Sequence, residues 1–137
     1  LKIKKDIKSS TNNYLDQKNC TFLGNIINLE KFYEKIDVIA FPSRMNALGR
    51  PVIEASSFGI PSIVCLDKVY KDTIQNNKTG IIVKFGDIKS FMKAIFRYKN
   101  NHKLRKKNGE NALKLHNLTH NYKANTVKLI KLYRSII

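Results

Sequence analysis

Apolar residues in this chain fall into short runs separated by polar, turn-forming stretches. Val38-Ile39-Ala40-Phe41, Ser62-Ile63-Val64-Cys65-Leu66 and Ile81-Ile82-Val83 are continuous and rich in β-branched residues. Such runs suit strands, the second too apolar for a surface segment and the third consistent with burial on both faces of a parallel sheet. Pro42-Ser43 stops the first run and opens a loop that closes on Gly49. Pro51 suits a first helical turn, where its missing N–H costs nothing. A helix from Pro51 to about Phe58 follows, with Gly59 placed for a left-handed cap. Elsewhere the period changes to that of amphipathic helices. Asn28 caps a helix 29–36 with Leu29, Phe32, Tyr33 and Ile36 on one face, and a short helix is expected over 72–76. After the turn cluster 76–80 and the third strand, Gly86-Asp87 caps a helix 88–98 striped by Ile88, Phe91, Met92, Ile95 and Phe96. Two further helices run from 102 to about 115 and from about 120 to 137. In the last, Val127, Ile130 and Tyr133 oppose Lys123, Lys128 and Lys131. Residues 19–24 read as a short strand ending in Gly24, and residues 1–18 are polar and basic. Strands alternating with helices predict an α/β fold, a Rossmann-like parallel sheet flanked by helices and followed by a helical segment over 100–137.

The length of 137 residues fits one domain, and neither an internal repeat nor a Pro/Gly linker divides it. A net charge of +16 comes mostly from lysines spread along the chain. It reads first as solvated surface charge and then as attraction to anionic lipid headgroups. The lysines do not cluster with interleaved aromatics, which argues against nucleic acid. Cys20 and Cys65 read as reduced core thiols of a cytosolic protein. No apolar run comes near ~18 residues, the length needed to span a bilayer, so neither a membrane span nor an export signal is expected. His102, His116 and His120 are expected to face solvent, without metal-ligand spacing or a catalytic role.

The stretch from Phe41 to Cys65 carries the candidate chemistry. A loop feeds the positive end of a helix beside the end of a parallel strand, so amides of Leu48, Gly49 and Arg50 converge where an anion is favoured. Gly49 permits close approach of a ligand to the backbone. Glu54, one turn in, is placed to accept hydrogen bonds from sugar hydroxyls. The plainer alternative is an ordinary strand–helix–strand crossover with Glu54 in solvent. Arg44 and Arg50 flank the loop as candidate diphosphate partners. Ser43 serves either a sugar hydrogen bond or the turn itself.

Taken together, Pro42-Ser43, Leu48-Gly49, Glu54-Ala55 and Gly59-Ile60-Pro61 resemble, in register, the donor-site signature of retaining, nucleotide-sugar-dependent glycosyltransferases of the GT-B fold, family 4 (group 1). Asn46 stands where that family carries its first Glu, keeping hydrogen-bonding reach and losing the charge. The resemblance implies that the chain is one half of a GT-B fold, the C-terminal donor-binding half, with an opening strand missing and an acceptor-binding N-terminal domain as its absent partner. By itself the chain is then expected to be inactive.

The resemblance also implies roles. Asn46 and Glu54 become the catalytic pair, with Asn46 orienting the sugar and Glu54 gripping the ribose. Ser43, Leu48, Gly49 and Arg50 join Glu54 in binding a nucleoside-diphosphate sugar. The acceptor is a saccharide or a lipid-linked one, in surface polysaccharide synthesis. The setting is cytoplasmic, peripheral on the inner membrane face. No cofactor or metal is implied, because no Asp-x-Asp motif is present and a helix end can take the charge. In the family the terminal helix returns to pack on the other domain. Competing readings are a non-catalytic or degenerate donor-binding subunit, a GT-B nucleotide-sugar epimerase and a basic surface-binding protein.

Overall fold

A computed structural model of the chain describes residues 21, 23–43, 47–67 and 70–136. Element order is α1 (Leu29–Tyr33), β1 (Ile39–Phe41), α2 (Arg50–Ser57), β2 (Ser62–Cys65), β3 (Gly80–Val83), α3 (Ile88–Asn100), α4 (His102–Thr119) and α5 (Tyr122–Arg134). The three strands form a parallel sheet in the order β1-β2-β3. Ile39 is in register with Ser62 and Phe41 with Val64, while Ser62 pairs with Gly80 and Cys65 with Val83.

Every residue of the central strand β2 is buried, and alternate side chains serve opposite faces. Ile63 packs with Ile81, Val83, Ala94 and Tyr98 beneath α3. Val64 packs with Val52, Leu66 and Ile74 beneath α2. A third cluster, Tyr33, Ala55 and Ile60, fastens α1 to the back of α2.

The end of α2 explains how the crossover turns so tightly. Gly59 has φ +70°, a conformation costly for a side-chain-bearing residue. Its N–H donates to Ser56 O at 3.1 Å, and the N–H of Ile60 reaches back to Ala55 O at 3.0 Å. This pair of bonds is a Schellman closure. Helix α4 crosses there at Gly109, where a Cβ would collide with the Gly59 carbonyl. Asn108 beside it is buried and donates to the Tyr98 hydroxyl at 2.8 Å. Arg105 donates to Tyr98 O at 2.9 Å and pairs with Asp37 at 3.2 Å.

Several expectations need correction. The helix expected over 72–76 is a set of turns: Ile74 is drawn into the core, and Gln75 N–H donates to Thr79 Oγ1 at 2.8 Å. Asn77 takes φ +60°, which Asn tolerates better than most residues. In α3 Phe91 and Ile95 pack against the core as expected, but the buried stripe is rotated from the expected one. Ala94 and Tyr98 are buried, whereas Ile88 is 75 % exposed and Met92 and Phe96 are also exposed. Helix α1 is shorter than the expected 29–36, although Asn28 caps it by accepting from Lys31 N at 2.9 Å. Helix α4 extends past 115 to Thr119. Thr21, Leu23 and Gly24, the described part of the expected strand 19–24, are exposed and outside any strand.

Helix α5 is capped by Asn121, which accepts from Ala124 N at 3.1 Å. It buries no residue. Among the described residues no helix is long and apolar enough to cross a membrane.

Candidate functional site

The carboxyl ends of the parallel strands are where open α/β sheets receive ligands. Beyond Phe41 the N–H of Ser43 folds back to Phe41 O at 3.0 Å, giving the turn that starts the loop. Arg44 and Asn46, the latter expected to orient a sugar, lie outside the described residues. Leu48 directs its side chain into the α2-side core, which anchors the loop before Gly49. Gly49 is the N-cap of α2. A Cβ there would run into the Phe41 ring. Glycine is therefore required by packing against the strand, a different reason from the ligand approach expected of it.

No side-chain hydrogen bond caps the mouth of α2. A helix leaves its first four N–H groups without intrahelical acceptors. Gly49 has no side chain to cap them, and the first turn holds no acid. Arg50, exposed at the first helical position, adds a cation where the helix dipole already favours negative charge. This arrangement suits an arriving anion and is otherwise unfavourable.

Glu54, one turn further in, is half-buried and held by Tyr33, whose hydroxyl donates to Glu54 Oε2 at 2.9 Å. Tyr33 is 3 % exposed. It stacks on Phe58 with ring centres 5.1 Å apart and meets Phe32 edge-on. Burial, then the hydrogen bond to Glu54 and its negative charge, push the Tyr33 pKa up to about 12. Tyr33 is therefore a fixed donor across the physiological range. It occupies part of the carboxylate's accepting capacity and leaves the rest for a ligand. Sequence reasoning placed Tyr33 on a core face and missed this contact. The signal available was a tyrosine, rather than a phenylalanine, at the buried position of α1.

At the same edge of the sheet a cleft is lined by Pro42, Cys65, Phe85, Asp87, Phe91 and Met92. Burial, with Asp67 adding its charge, pushes the Cys65 thiol pKa up, so this free, buried cysteine is unreactive. Cys20 lies outside the described residues.

The histidines separate into two kinds. His102 is exposed, as expected. His116 is not: it is partly buried against α2, with Nδ1 3.0 Å from Ser56 Oγ, and its ring stacks on His120 at 5.3 Å. Desolvation, with His120 adding repulsion, holds the His116 pKa below the usual imidazole value.

A parallel sheet opening at its carboxyl edge onto a bare helix mouth, with a carboxylate one turn in, defines a Rossmann-like domain suited to an anionic, hydroxyl-bearing ligand. The sequence pattern of the family described as "Glycosyl transferases group 1" matches residues 2–115, and the chain belongs to that family. It is 30 % identical over 113 residues to the capsular polysaccharide biosynthesis glycosyltransferase CapM of Staphylococcus aureus, covering 76 % of this chain and 30 % of CapM. Its fold matches sucrose-phosphate synthase from Thermosynechococcus elongatus with a TM-score of 0.87 and 25 % identity, over 96 % of this chain and 34 % of that one. It also matches Anabaena Alr3699/HepE, solved in complex with UDP, with a TM-score of 0.84 and 15 % identity over 96 % of this chain and 36 % of HepE. The chain thus spans about a third of the length of these relatives. The three-stranded sheet and its helices correspond to one Rossmann-like half of a GT-B fold.

Proposed function

We propose that this chain is the donor-binding half of a retaining glycosyltransferase that uses a nucleoside-diphosphate sugar. The observation that carries the reading is the joined geometry of α2: an uncapped, acid-free mouth at Gly49 and a carboxylate fixed by Tyr33 one turn deeper. Amides of Leu48, Gly49 and Arg50 receive the diphosphate, and the helix dipole stabilises charge developing on it as the glycosidic bond breaks. Arg50 adds a charge-assisted contact. Glu54 accepts from the ribose hydroxyls, aimed by Tyr33. Ser43 and Asn46 complete the sugar end of the site. HepE, a neighbour in fold, was solved with UDP and with UDP-glucose, which supports a nucleotide-sugar here.

The acceptor, a saccharide or a lipid-linked one, is held by an N-terminal domain, so the chain alone binds donor without turning it over. The relation to CapM supports polysaccharide synthesis as the setting. The reaction needs no metal, because the helix mouth takes the charge. The protein works in the cytoplasm, against the inner membrane face. Helix α5 favours that membrane contact: Leu129, Leu132, Tyr133 and Ile136 are exposed, and the chain carries no Asp or Glu after Glu110. The test is isothermal titration with UDP, GDP and ADP. One of them binds, and Glu54→Ala weakens it at least tenfold. Equal affinity in Glu54→Ala removes Glu54 from the site.

A further inference from the structure

Two histidines at the end of α4 form a cluster that the donor site does not use. Their hydrogen bonds fix which ring nitrogens carry protons. Ser56 Oγ donates to Ile53 O at 2.6 Å, so its single proton is spent there. The 3.0 Å contact with His116 Nδ1 is then one in which Nδ1–H donates to the serine. Thr119 Oγ1 stands 2.7 Å from Asp72 O and 2.9 Å from Leu115 O. Its proton is likewise committed to a carbonyl, so His120 Nδ1, 2.8 Å away, also donates. The His116 ring also donates to the Ile53 carbonyl, beside the Ser56 hydroxyl, and with Nδ1–H serving both, the neutral imidazoles of His116 and His120 keep their lone pair at Nε2. Orientation of a histidine by a hydrogen bond from its other ring nitrogen is the usual support of a metal ligand.

The spacing completes the argument. His116 and His120 are four residues apart, neighbours on one helical face. Their ring centres lie 5.3 Å apart. Two imidazoles bound through Nε2 to one tetrahedral ion at about 2.0–2.1 Å have ring centres roughly 5 Å apart. The rings, inclined by only 17°, have to reorient to aim both lone pairs at one point, but they do not have to separate. Both side chains are partly exposed, which leaves an ion a way in.

We infer that His116 and His120 form a two-histidine site for a divalent late first-row cation, Cu2+ binding most tightly and Zn2+ less so. Water fills the remaining positions: among the described residues no group of three or more His, Cys, Asp or Glu is gathered for a metal. The site is at the C-terminal end of α2, away from the Gly49 mouth. An ion there clamps α4 against α2 through Ser56 and against the turn at Asp72 through Thr119.

The experiment titrates chelator-treated protein with Cu2+ by calorimetry and with Zn2+ while following the histidine ring nitrogens by NMR. One equivalent binds, and Zn2+ shifts Nε2 of His116 and His120 but not of His102. His116→Asn and His120→Asn each keep an amide N–H for Ser56 or Thr119 and lack Nε2, and each weakens Cu2+ at least tenfold. His102→Ala leaves affinity unchanged. Retained affinity in both Asn variants, or Zn2+ binding with both Nε2 resonances unmoved, overturns the assignment. The Zn2+ readout on the unaltered protein decides the matter even where a variant folds poorly.

Discussion

Helices α2 and α5 make opposite use of the same chain. Helix α2 is short and yet fixed at every turn. Gly49 lies on the Phe41 ring, Val52 enters the sheet core, Ala55 meets Ile60 and Tyr33, and Gly59 closes the end against Gly109. Helix α5 is longer, equally regular in backbone, and buries nothing. The regularity of a helix therefore says little about its role. What distinguishes α2 is that packing on three sides leaves a single orientation for its bare end and for Glu54. Most helical stability in proteins comes from such tertiary burial, and α5 obtains none from the described residues.

Breaking this contrast starts in the core that holds α2 in place. Ile63→Ala, at a position 1 % exposed, costs about 2–5 kcal/mol by urea denaturation. A value under 1 kcal/mol would mean that the β2 layer is not the core. Tyr33→Phe keeps the ring stack and removes the donor to Glu54. A hydrogen bond to a charged group contributes about 1.5–3 kcal/mol, and this half-buried one is expected at or below the lower end. Nucleotide affinity falls with it, because the carboxylate loses its aim.

The titration of Tyr33 sharpens the same point. Its pKa is raised from 10.0 to about 12 in the folded protein, so the fold binds this proton more tightly than the unfolded chain does. The contribution is fully present below pH 10 and is lost as pH rises toward 12. Phenolate absorbance will show Tyr33 ionising after the exposed tyrosines, as will Tyr98, whose pKa burial also raises, and Glu54→Gln will bring down Tyr33 alone. The smallest effect is at the other end of the comparison. Leu129→Ala on exposed α5 changes stability by no more than about 0.5 kcal/mol, measured beside Ile63→Ala. A larger loss would show that α5 is packed.

Local signals carried much of the fold. The crossover from β1 through α2 to β2 is written in Pro42, Pro51 and Gly59, each of which acts on its own backbone. Asn28 and Asp87 cap their helices as expected, Asp87 accepting from Ser90 N at 2.9 Å. What stayed hidden depends on a partner distant in sequence. Period 3.6 lets the stripe of α3 that holds Phe91 and Ile95 extend either to Ile88, Met92 and Phe96 or to Ala94 and Tyr98. The second wins because small Ala94 lets the helix approach the sheet and Tyr98 finds Asn108 on α4. Residues 72–76 were expected to be helical, but Asp72, Thr73 and Asn76 are weak helix formers, and the route from β2 to β3 pulls Ile74 inward. His116 looks like any surface histidine until α4 is laid on Ser56. The spacing placed Gly49 at the start of α2 and Glu54 one turn in, as the structure has them. The bond from Tyr33 was not, because it spans twenty-one positions.

Backbone amide shifts on titration with UDP, GDP and ADP measure the central claim most directly. One of these nucleotides should move the resonances of Leu48, Gly49, Arg50 and Glu54 in a saturable way, leave α5 unmoved, and lose most of its effect in Glu54→Ala. If all three leave those amides in place at millimolar concentration, the mouth of α2 does not receive a diphosphate and the donor-site assignment is wrong.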